Sequence, residues 1–199
     1  MTVGNLPPIE EPQAYGGFLR ALWRTWFSAC FDPDKFFEAV GNSQNLAPAL
    51  LFGFGCWFIV GFIYSLIISA LLLSDPKGAQ KELGLFGMVF LPLLMGGCAP
   101  IVLFLITLFY GLILHLCLIL FGGAKQGLRT TLQVVAYAQA PIVYLCGIWS
   151  LVLCIIGLKV AHRTDTWRSF LAVLMSQFLC CIGGIFLEVL RVVLISFSR

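Results

Sequence analysis

"LFGGAKQGLRTTLQVVAYAQAP", residues 120–141, interrupts an apolar chain with two adjacent glycines, two basic side chains and two adjacent threonines. The chain of 199 residues is 60% hydrophobic and 11% charged, whereas a typical soluble domain is about 25% charged. A soluble fold of this size could not bury so much apolar surface, so we expect lipid to surround most of the chain. The polar stretch is then expected to be a tight turn between two membrane-spanning helices, with its glycines ending the first of them.

Long uncharged stretches support this interpretation. A helix needs roughly 20 apolar residues to cross the hydrocarbon core of a bilayer. One uncharged stretch is too long for a single span, so we expect it to break near Gly96, Gly97 and Pro100. Another is too long for one comfortable span and too short for two whole ones. The stretches without Asp, Glu, Lys or Arg are 39–74, 83–124, 130–158 and 169–187.

These lengths predict an all-α, polytopic membrane bundle of five transmembrane helices. The alternative is four spans, in which 128–163 forms a single helix. Basic residues are more frequent on the cytoplasmic side of membrane proteins. With the N-terminus cytoplasmic, five spans put eight Lys or Arg inside and four outside, whereas four spans give seven and five, so five spans are favoured. The expected spans are 46–73, 98–121, 128–146, 148–163 and 168–195.

Residues 1–45 are expected to form a cytoplasmic N-terminal segment with an amphipathic helix over about 17–30. Its large apolar side chains recur at steps of three and four residues, which puts them on one helical face. Arg20 and Arg24 lie on another face, and this combination is typical of a helix lying flat in the headgroup layer. Packing against the protein's own spans is the alternative. The residues predicted to contact the membrane are Phe18, Leu22, Trp23, Trp26 and Phe27.

Motifs for catalysis or ligand binding are missing from the sequence. The eight cysteines are scattered without a Cys-x-x-Cys pair, so we expect neither a metal nor a redox site. A nucleophile elbow, a phosphate-binding loop and paired carboxylates are all lacking, so we expect no cofactor and no enzymatic activity. The net charge of +3 and the lack of a basic run argue against nucleic acid as a partner.

Three polar or charged residues are expected inside the spans. His115 is a functional candidate because a histidine in lipid is costly, and the structural alternative is a neutral imidazole hydrogen-bonded to a neighbouring span. Glu188 and Arg191 lie one helical turn apart and are expected to neutralise each other. His162 lies at the end of a span and is expected to be solvated.

Several segments together resemble the Yip domain, the membrane module of Ypt/Rab-interacting proteins, in its shorter bacterial form. "HLCLILFGG", "TLQVVAYAQAP" and "GIWSLVLCIIGLKVAH" follow one another in the order and spacing of that family, and "DPDKFF" resembles its Pro-x-x-Phe-Phe element. The resemblance covers about 30–180. The matching residues are Pro33, Phe36, Phe37, His115, Leu116, Gly122, Gly123, Tyr137, Ala138, Pro141, Gly157 and Leu158.

The resemblance implies five spans, a cytoplasmic N-terminus and no known catalytic activity. Its eukaryotic relatives act in vesicle traffic between the endoplasmic reticulum and the Golgi and associate with prenylated Rab GTPases. This chain lacks the family's Asp-Leu-x-Gly-Pro element ahead of the first span, so we do not expect it to bind a Rab-type GTPase. The bacterial form implies the inner, cytoplasmic membrane.

We therefore expect a non-enzymatic membrane protein that organises membranes or partner proteins. Its expected partners are the lipid bilayer and other membrane proteins. Small residues such as Ala49 with Gly53, and Ala136 with Ala140, are expected to serve helix packing and would also permit a homodimer. The alternative is a small permease or lipid-translocating protein with a polar path near His115.

Overall fold

The computed structural model describes residues 6–74, 76–144 and 147–197, and within these ranges every regular element is helical. The all-α part of the prediction is therefore confirmed. Three short 3₁₀ segments cover Pro8–Glu10, Pro12–Tyr15 and Ala140–Tyr144. The α-helices are α1 Phe18–Phe31, α2 Pro33–Asn42, α3 Ala47–Ser74, α4 Pro76–Leu120, α5 Leu128–Tyr137, α6 Gly147–Ala161 and α7 Thr166–Phe197.

Three helical segments are long and apolar enough to cross a membrane: Ala47–Ser74, Val89–Leu120 and Thr166–Ile185. The chain is therefore a membrane protein by the length and composition of its helices. The expected second span began at 98, whereas the candidate span within α4 covers Val89–Leu120.

The interruption in α4 lies at Gly84, whose φ of 68° leaves the helical region, and not near 96–100 as expected. The helix continues through Pro92 and Pro100, and α3 packs against both prolines. Ser65 donates a hydrogen bond to the carbonyl of Pro92 over 2.9 Å. Gly61 has no side chain, which leaves room for the ring of Pro100. Neighbouring helices make prolines tolerable inside spans in this way.

The two remaining expected spans are short helices. α5 has ten residues and α6 has fifteen, which correspond to about 15 Å and 22 Å of helix. The helix expected over 128–146 is wrong in its bounds, because it ends at Tyr137 and gives way to a 3₁₀ segment; residues 145–146 lie outside the described part of the chain. In the part of the chain that the structure describes, three spans rather than five meet the length requirement.

α5 and α6 form an antiparallel hairpin. Thr131 at the start of α5 lies 2.9 Å from His162, just after α6, measured from Oγ1 to Nε2. A single helix over 128–163 would separate these residues by about 46 Å, so the four-span alternative is wrong. We call this end of the bundle the basal end; the start of α3 lies there too, because Gln133 donates to the carbonyl of Asn45 over 3.0 Å.

The hairpin reaches only half-way along the first span. Ile142 and Gly147, on either side of the tip, line one cavity of about 460 Å³ together with Gly61 of α3 and Ala99 of α4. Gly61 lies midway along α3. The upper halves of the long helices therefore extend well beyond the hairpin.

The buried core lies in the basal half of the bundle. Tyr137 of α5 is fully buried, with its ring centroid 5.0 Å from that of Phe36 and 5.4 Å from that of Phe52. Phe37 of α2 is fully buried beside them and faces Gly157 of α6. Helix α2 thus fills the side of the hairpin that no span covers.

Close contacts between helices occur where one of them carries a glycine. A Cβ at Gly157 would lie 2.6 Å from Val134 and 2.9 Å from Phe37, and a Cβ at Gly53 would lie 3.1 Å from the carbonyl oxygen of Ala136. The expectation that Gly53 serves helix packing is therefore confirmed. Gly183 of α7 makes no such contact, since a Cβ there would meet no atom within 4 Å.

Replacing Gly157 with Ala should destabilise the protein. The added methyl group would overlap two fully packed side chains, and overpacking of this kind costs about 1–3 kcal/mol. The thermal unfolding midpoint in detergent should fall by roughly 2–10 °C. Gly147→Ala on the same helix is the matched control, because a Cβ there meets no atom within 4 Å. Equal midpoints for the two variants would contradict the packing described for Gly157.

Candidate functional site

The N-terminal helix α1 packs across the tip of the hairpin and is held there by hydrogen bonds. The indole nitrogen of Trp26 donates to the carbonyl of Ala140 over 2.9 Å, and that of Trp149 donates to the carbonyl of Cys30 over 3.3 Å. On its inner face, Thr25 is fully buried and accepts a hydrogen bond from the backbone of Ile9 over 3.0 Å. These bonds hold one face of α1 against the protein.

The opposite face of α1 carries an exposed apolar stripe. Its members recur every fourth residue and are 48–77% exposed. Arg20 and Arg24 are exposed beside the stripe, and α1 contains no acidic residue. An apolar face with a basic edge has the composition of an interfacial helix. The members of this stripe, which we call the α1 stripe, are Leu19, Trp23, Phe27 and Phe31.

The sequence-predicted membrane residues divide between the two faces. Phe18, Trp23 and Phe27 are exposed, whereas Leu22 and Trp26 are half-buried against the core. Periodicity detected the apolar face, but the face is wide, and only packing shows which part of it the protein itself covers.

The residues of α2 that match the Yip-domain pattern belong to the core. Pro33 occupies the first position of α2, where its fixed φ suits the start of a helix. Phe36 and Phe37 are buried, and Phe36 contacts Tyr137 edge-on. Phe37 also packs against Gly157 of α6. The structure therefore packs Phe36 and Phe37 of α2 together with Tyr137 of α5 and Gly157 of α6. Pro141 lies buried at the hairpin tip.

The predicted glycine turn ends α4. Gly122 has a φ of 64°, and the backbone N–H of Gly123 donates to the carbonyl of Leu118 over 2.8 Å. A left-handed residue with this bond pattern is a Schellman cap. The end of α6 uses the same device with Arg163, a non-glycine residue with a φ of 50°.

Basic side chains connect the cap of α4 with the segment after α6, and the cap of α6 with the segment after α4. Arg168 donates to the carbonyl of Gly122 over 2.9 Å, and Lys125 donates to the carbonyl of Arg163 over 2.9 Å. Carbonyls at helix C-termini favour cationic partners. The basic residues of the turn therefore hold the basal end together as well as adding positive charge there.

A polar network joins α4, α5 and the end of α6. The hydroxyl of Thr131 lies 2.8 Å from Nδ1 of His115 and 2.9 Å from Nε2 of His162. The backbone N–H of Gln126 donates to Nδ1 of His162 over 3.2 Å. His115 thus forms a hydrogen bond with a neighbouring helix, as expected if its role is structural.

The donors fix a direction along this network. Nδ1 of His162 accepts from Gln126, so a neutral ring carries its proton on Nε2 and donates to Thr131. The hydroxyl of Thr131 then donates to Nδ1 of His115. His162 is therefore neutral in this arrangement, because a second ring proton on Nδ1 would face the backbone N–H of Gln126.

The expectation that His162 is solvated is wrong. Its side chain is fully buried. Burial and, to a smaller extent, the nearby His115 together lower the pKa of His162 to about 4. Sequence reasoning missed this burial because a position at a helix end does not reveal contacts with distant segments, here Gln126 and Thr131.

A second network, also missed from the sequence, fastens the N-terminal segment to the basal end. Ser43 donates to the carboxylate of Glu10 over 2.6 Å, and Gln133 donates to Ser43 over 3.1 Å. Burial raises the pKa of Glu10. Glu10 is thereby linked through Ser43 to Gln133 in the core of the hairpin.

The charged pair on α7 is exposed. Arg191 lies 3.3 Å from Glu188, and both side chains are more than half exposed, so the pair adds little to stability. Among the described residues no cluster of His, Cys, Asp or Glu is suited to hold a metal ion. Burial raises the pKa of the Cys30 thiol to about 11, which leaves little thiolate for redox chemistry. Cys146 lies outside the described residues.

These features define a helical integral membrane protein with an N-terminal helix packed on a short hairpin. A family model for the Yip1 domain matches residues 27–187. The chain therefore belongs to the Yip1 domain family, a family of non-enzymatic membrane proteins. No match was found among curated proteins or among solved structures.

Stability should decrease as the pH falls from about 6.5 to 4. In that range the unfolded chain protonates His162 while the folded protein does not, and the difference amounts to on the order of 3 kcal/mol. His162→Gln keeps an acceptor and a donor but cannot titrate. Thermal midpoints in detergent should therefore fall more steeply with pH for the wild type than for this variant. Parallel pH profiles would contradict the neutral, buried assignment.

Proposed function

We propose that this Yip1-domain protein organises the bilayer or other membrane proteins without catalysing a reaction. The α1 stripe is the observation that carries this proposal. Apolar side chains exposed on a helix outside the spans, beside Arg20 and Arg24, are suited to the headgroup region of a membrane. The basic residues of the basal turns add a charged surface at the same end of the bundle.

The depth of α1 agrees with this role. α3 has 28 residues, or about 42 Å of helix, against a hydrocarbon thickness of about 30 Å. Counted from Ser74, 30 Å of helix ends near Phe54 and Gly55. α1 and α3 line a common groove at Phe52–Ile59. This is the level of the membrane boundary, where an interfacial helix would lie.

We propose three crossings with the N-terminus and the basal end cytoplasmic. The hairpin then enters and leaves the membrane region on the same side, which agrees with its half-length reach along α3. The basal end and its neighbouring segments carry most of the basic residues, as cytoplasmic segments do. The hairpin tip is uncharged, so it adds nothing to the count of basic residues on either side. Three and five crossings therefore give the same distribution of charge. Both also put the two termini on opposite sides. We propose the bacterial cytoplasmic membrane as the location.

The permease alternative gains no support from His115. Nδ1 of this residue is engaged with Thr131 in a network that is bonded to the backbone of Gln126. Such a network favours a structural role. We therefore propose no transport path there.

The α1 stripe should lie in the headgroup region, about 5–10 Å into the boundary with the acyl chains. Nitroxides at Phe27→Cys and Phe31→Cys, in full-length protein without its native cysteines in liposomes, should collide more with oxygen than with a water-soluble nickel chelate. Lys35→Cys on α2 is the control and should show the reverse, because Lys35 is exposed next to Asp32. Equal access of the chelate to all three positions would remove the proposed membrane contact.

The hairpin tip should be inaccessible from outside. In the same cysteine-free protein, a membrane-impermeant maleimide should label Lys77→Cys only from the outer side and Lys125→Cys only from the cytoplasmic side. Ile148→Cys, whose native side chain is 80% exposed, should remain unlabelled from the outer side. Labelling of this position from outside would instead establish five crossings.

A further inference from the structure

A groove separates α1 from the first span. Its walls are all apolar, and its volume is about 270 Å³. The backbones of α1 and α3 make few direct contacts, so the two helices are held together through the hairpin tip rather than through each other. The groove is lined by Leu19, Leu22, Trp23 and Trp26 of α1 and by Phe52, Gly55, Cys56 and Ile59 of α3.

The groove is continuous with a membrane-facing surface. Ile59 lines it and is 45% exposed, and Phe58 and Phe62 on the same helix are exposed next to it. Trp23 forms part of its other wall and also belongs to the α1 stripe. Whatever occupies the groove can therefore enter sideways from the bilayer without crossing water.

The size of the groove suits part of an acyl chain. Benzene, with six carbons, fills an engineered cavity of about 150 Å³ in another protein, so 270 Å³ accommodates on the order of ten carbons. Gly55 supplies much of this space, since a Cβ there would meet no atom within 4 Å. Arg20 and Arg24 are exposed on the neighbouring face of α1, beside the α1 stripe, which shares Leu19 and Trp23 with the groove wall.

We propose that the groove between α1 and α3 binds one acyl chain of a bilayer phospholipid with an anionic headgroup. The chain lies between Trp26 and Gly55, and the phosphate lies against Arg20 and Arg24 at the boundary. This site rests on the interfacial position of α1 given above, and it adds a specific lipid to that general contact. The bound lipid fills the gap between α1 and α3 that protein side chains leave open.

Photolabelling tests the site directly. Full-length protein in phosphatidylcholine vesicles receives trace phosphatidylglycerol with a photoreactive diazirine in its acyl chain, and labelled peptides are measured after digestion. The segments 19–26 and 52–59 should be labelled more strongly than 101–106. This last segment of α4 contains exposed apolar residues and reports ordinary lipid contact. Equal labelling of the three segments in the wild type would overturn the proposal.

Filling the groove should remove the excess labelling. Gly55→Leu occupies open space in the groove, and competition with the acyl chain should lower labelling of 19–26 about tenfold relative to 101–106. Gly97→Leu is the matched control, because Gly97 also lies in a span with open space at its Cβ position, and it should change nothing. Gly55→Ala should give an intermediate decrease, which keeps the test decisive if the leucine variant does not fold. Unchanged labelling in both Gly55 variants would contradict the site.

The headgroup assignment has its own test. A diazirine-bearing phosphatidylcholine probe should label the groove less than the phosphatidylglycerol probe. Replacing Arg20 or Arg24 with Gln should reduce the preference about fivefold for each arginine removed. Equal labelling by the two probes in the wild type would overturn the anionic headgroup.

The nitroxide depths of Phe27→Cys and Phe31→Cys distinguish this proposal from the more general one. Neither position lines the groove. If both lie at the boundary while groove labelling is absent, the lipid site fails and the membrane contact of α1 stands. If both are aqueous, the membrane contact itself fails.

Discussion

The half-length hairpin of α5 and α6 is the constraint on which the rest of the structure depends. Backbone groups in or near lipid must be hydrogen-bonded within the protein, and the hairpin turns beside the middle of α3 rather than at its end. Trp26 of α1 donates to the carbonyl of Ala140 at the tip, and Trp149 of α6 donates to that of Cys30 at the end of α1. The N-terminal helix lies across the tip for this reason. Its outward stripe and the groove beside α3 are consequences of that position.

Hydrogen bonds between different segments hold the basal end of the bundle together. Thr131 joins two histidines from different segments, and the caps that end α4 and α6 each receive a basic side chain from another segment. The resemblance residues of α2 and α5 pack beneath this layer, where Phe36 meets Tyr137. The pattern shared with the family therefore describes the packing of the hairpin rather than an exposed binding site.

Local signals predicted the elements that depend on nearby residues. Gly122 ends α4 as expected, because a left-handed cap is available to glycine without steric cost. Gly53 packs closely on another helix as expected. The break expected near Gly96 is wrong, because Pro92 and Pro100 are accommodated by α3, which is distant in sequence. His162 is buried for a similar reason, since its partners Gln126 and Thr131 come from other segments.

The sequence by itself determined that lipid surrounds the long helices, where the turn at 120–128 lies, and to which family the chain is related. Only the tertiary structure decided that α5 and α6 form a half-length hairpin and that Leu22 and Trp26 face inward. Hydrophobic periodicity identifies an apolar face, but it cannot tell whether lipid or protein covers that face. Apolar length likewise cannot show where a chain turns back, because that depends on contacts between residues far apart in sequence.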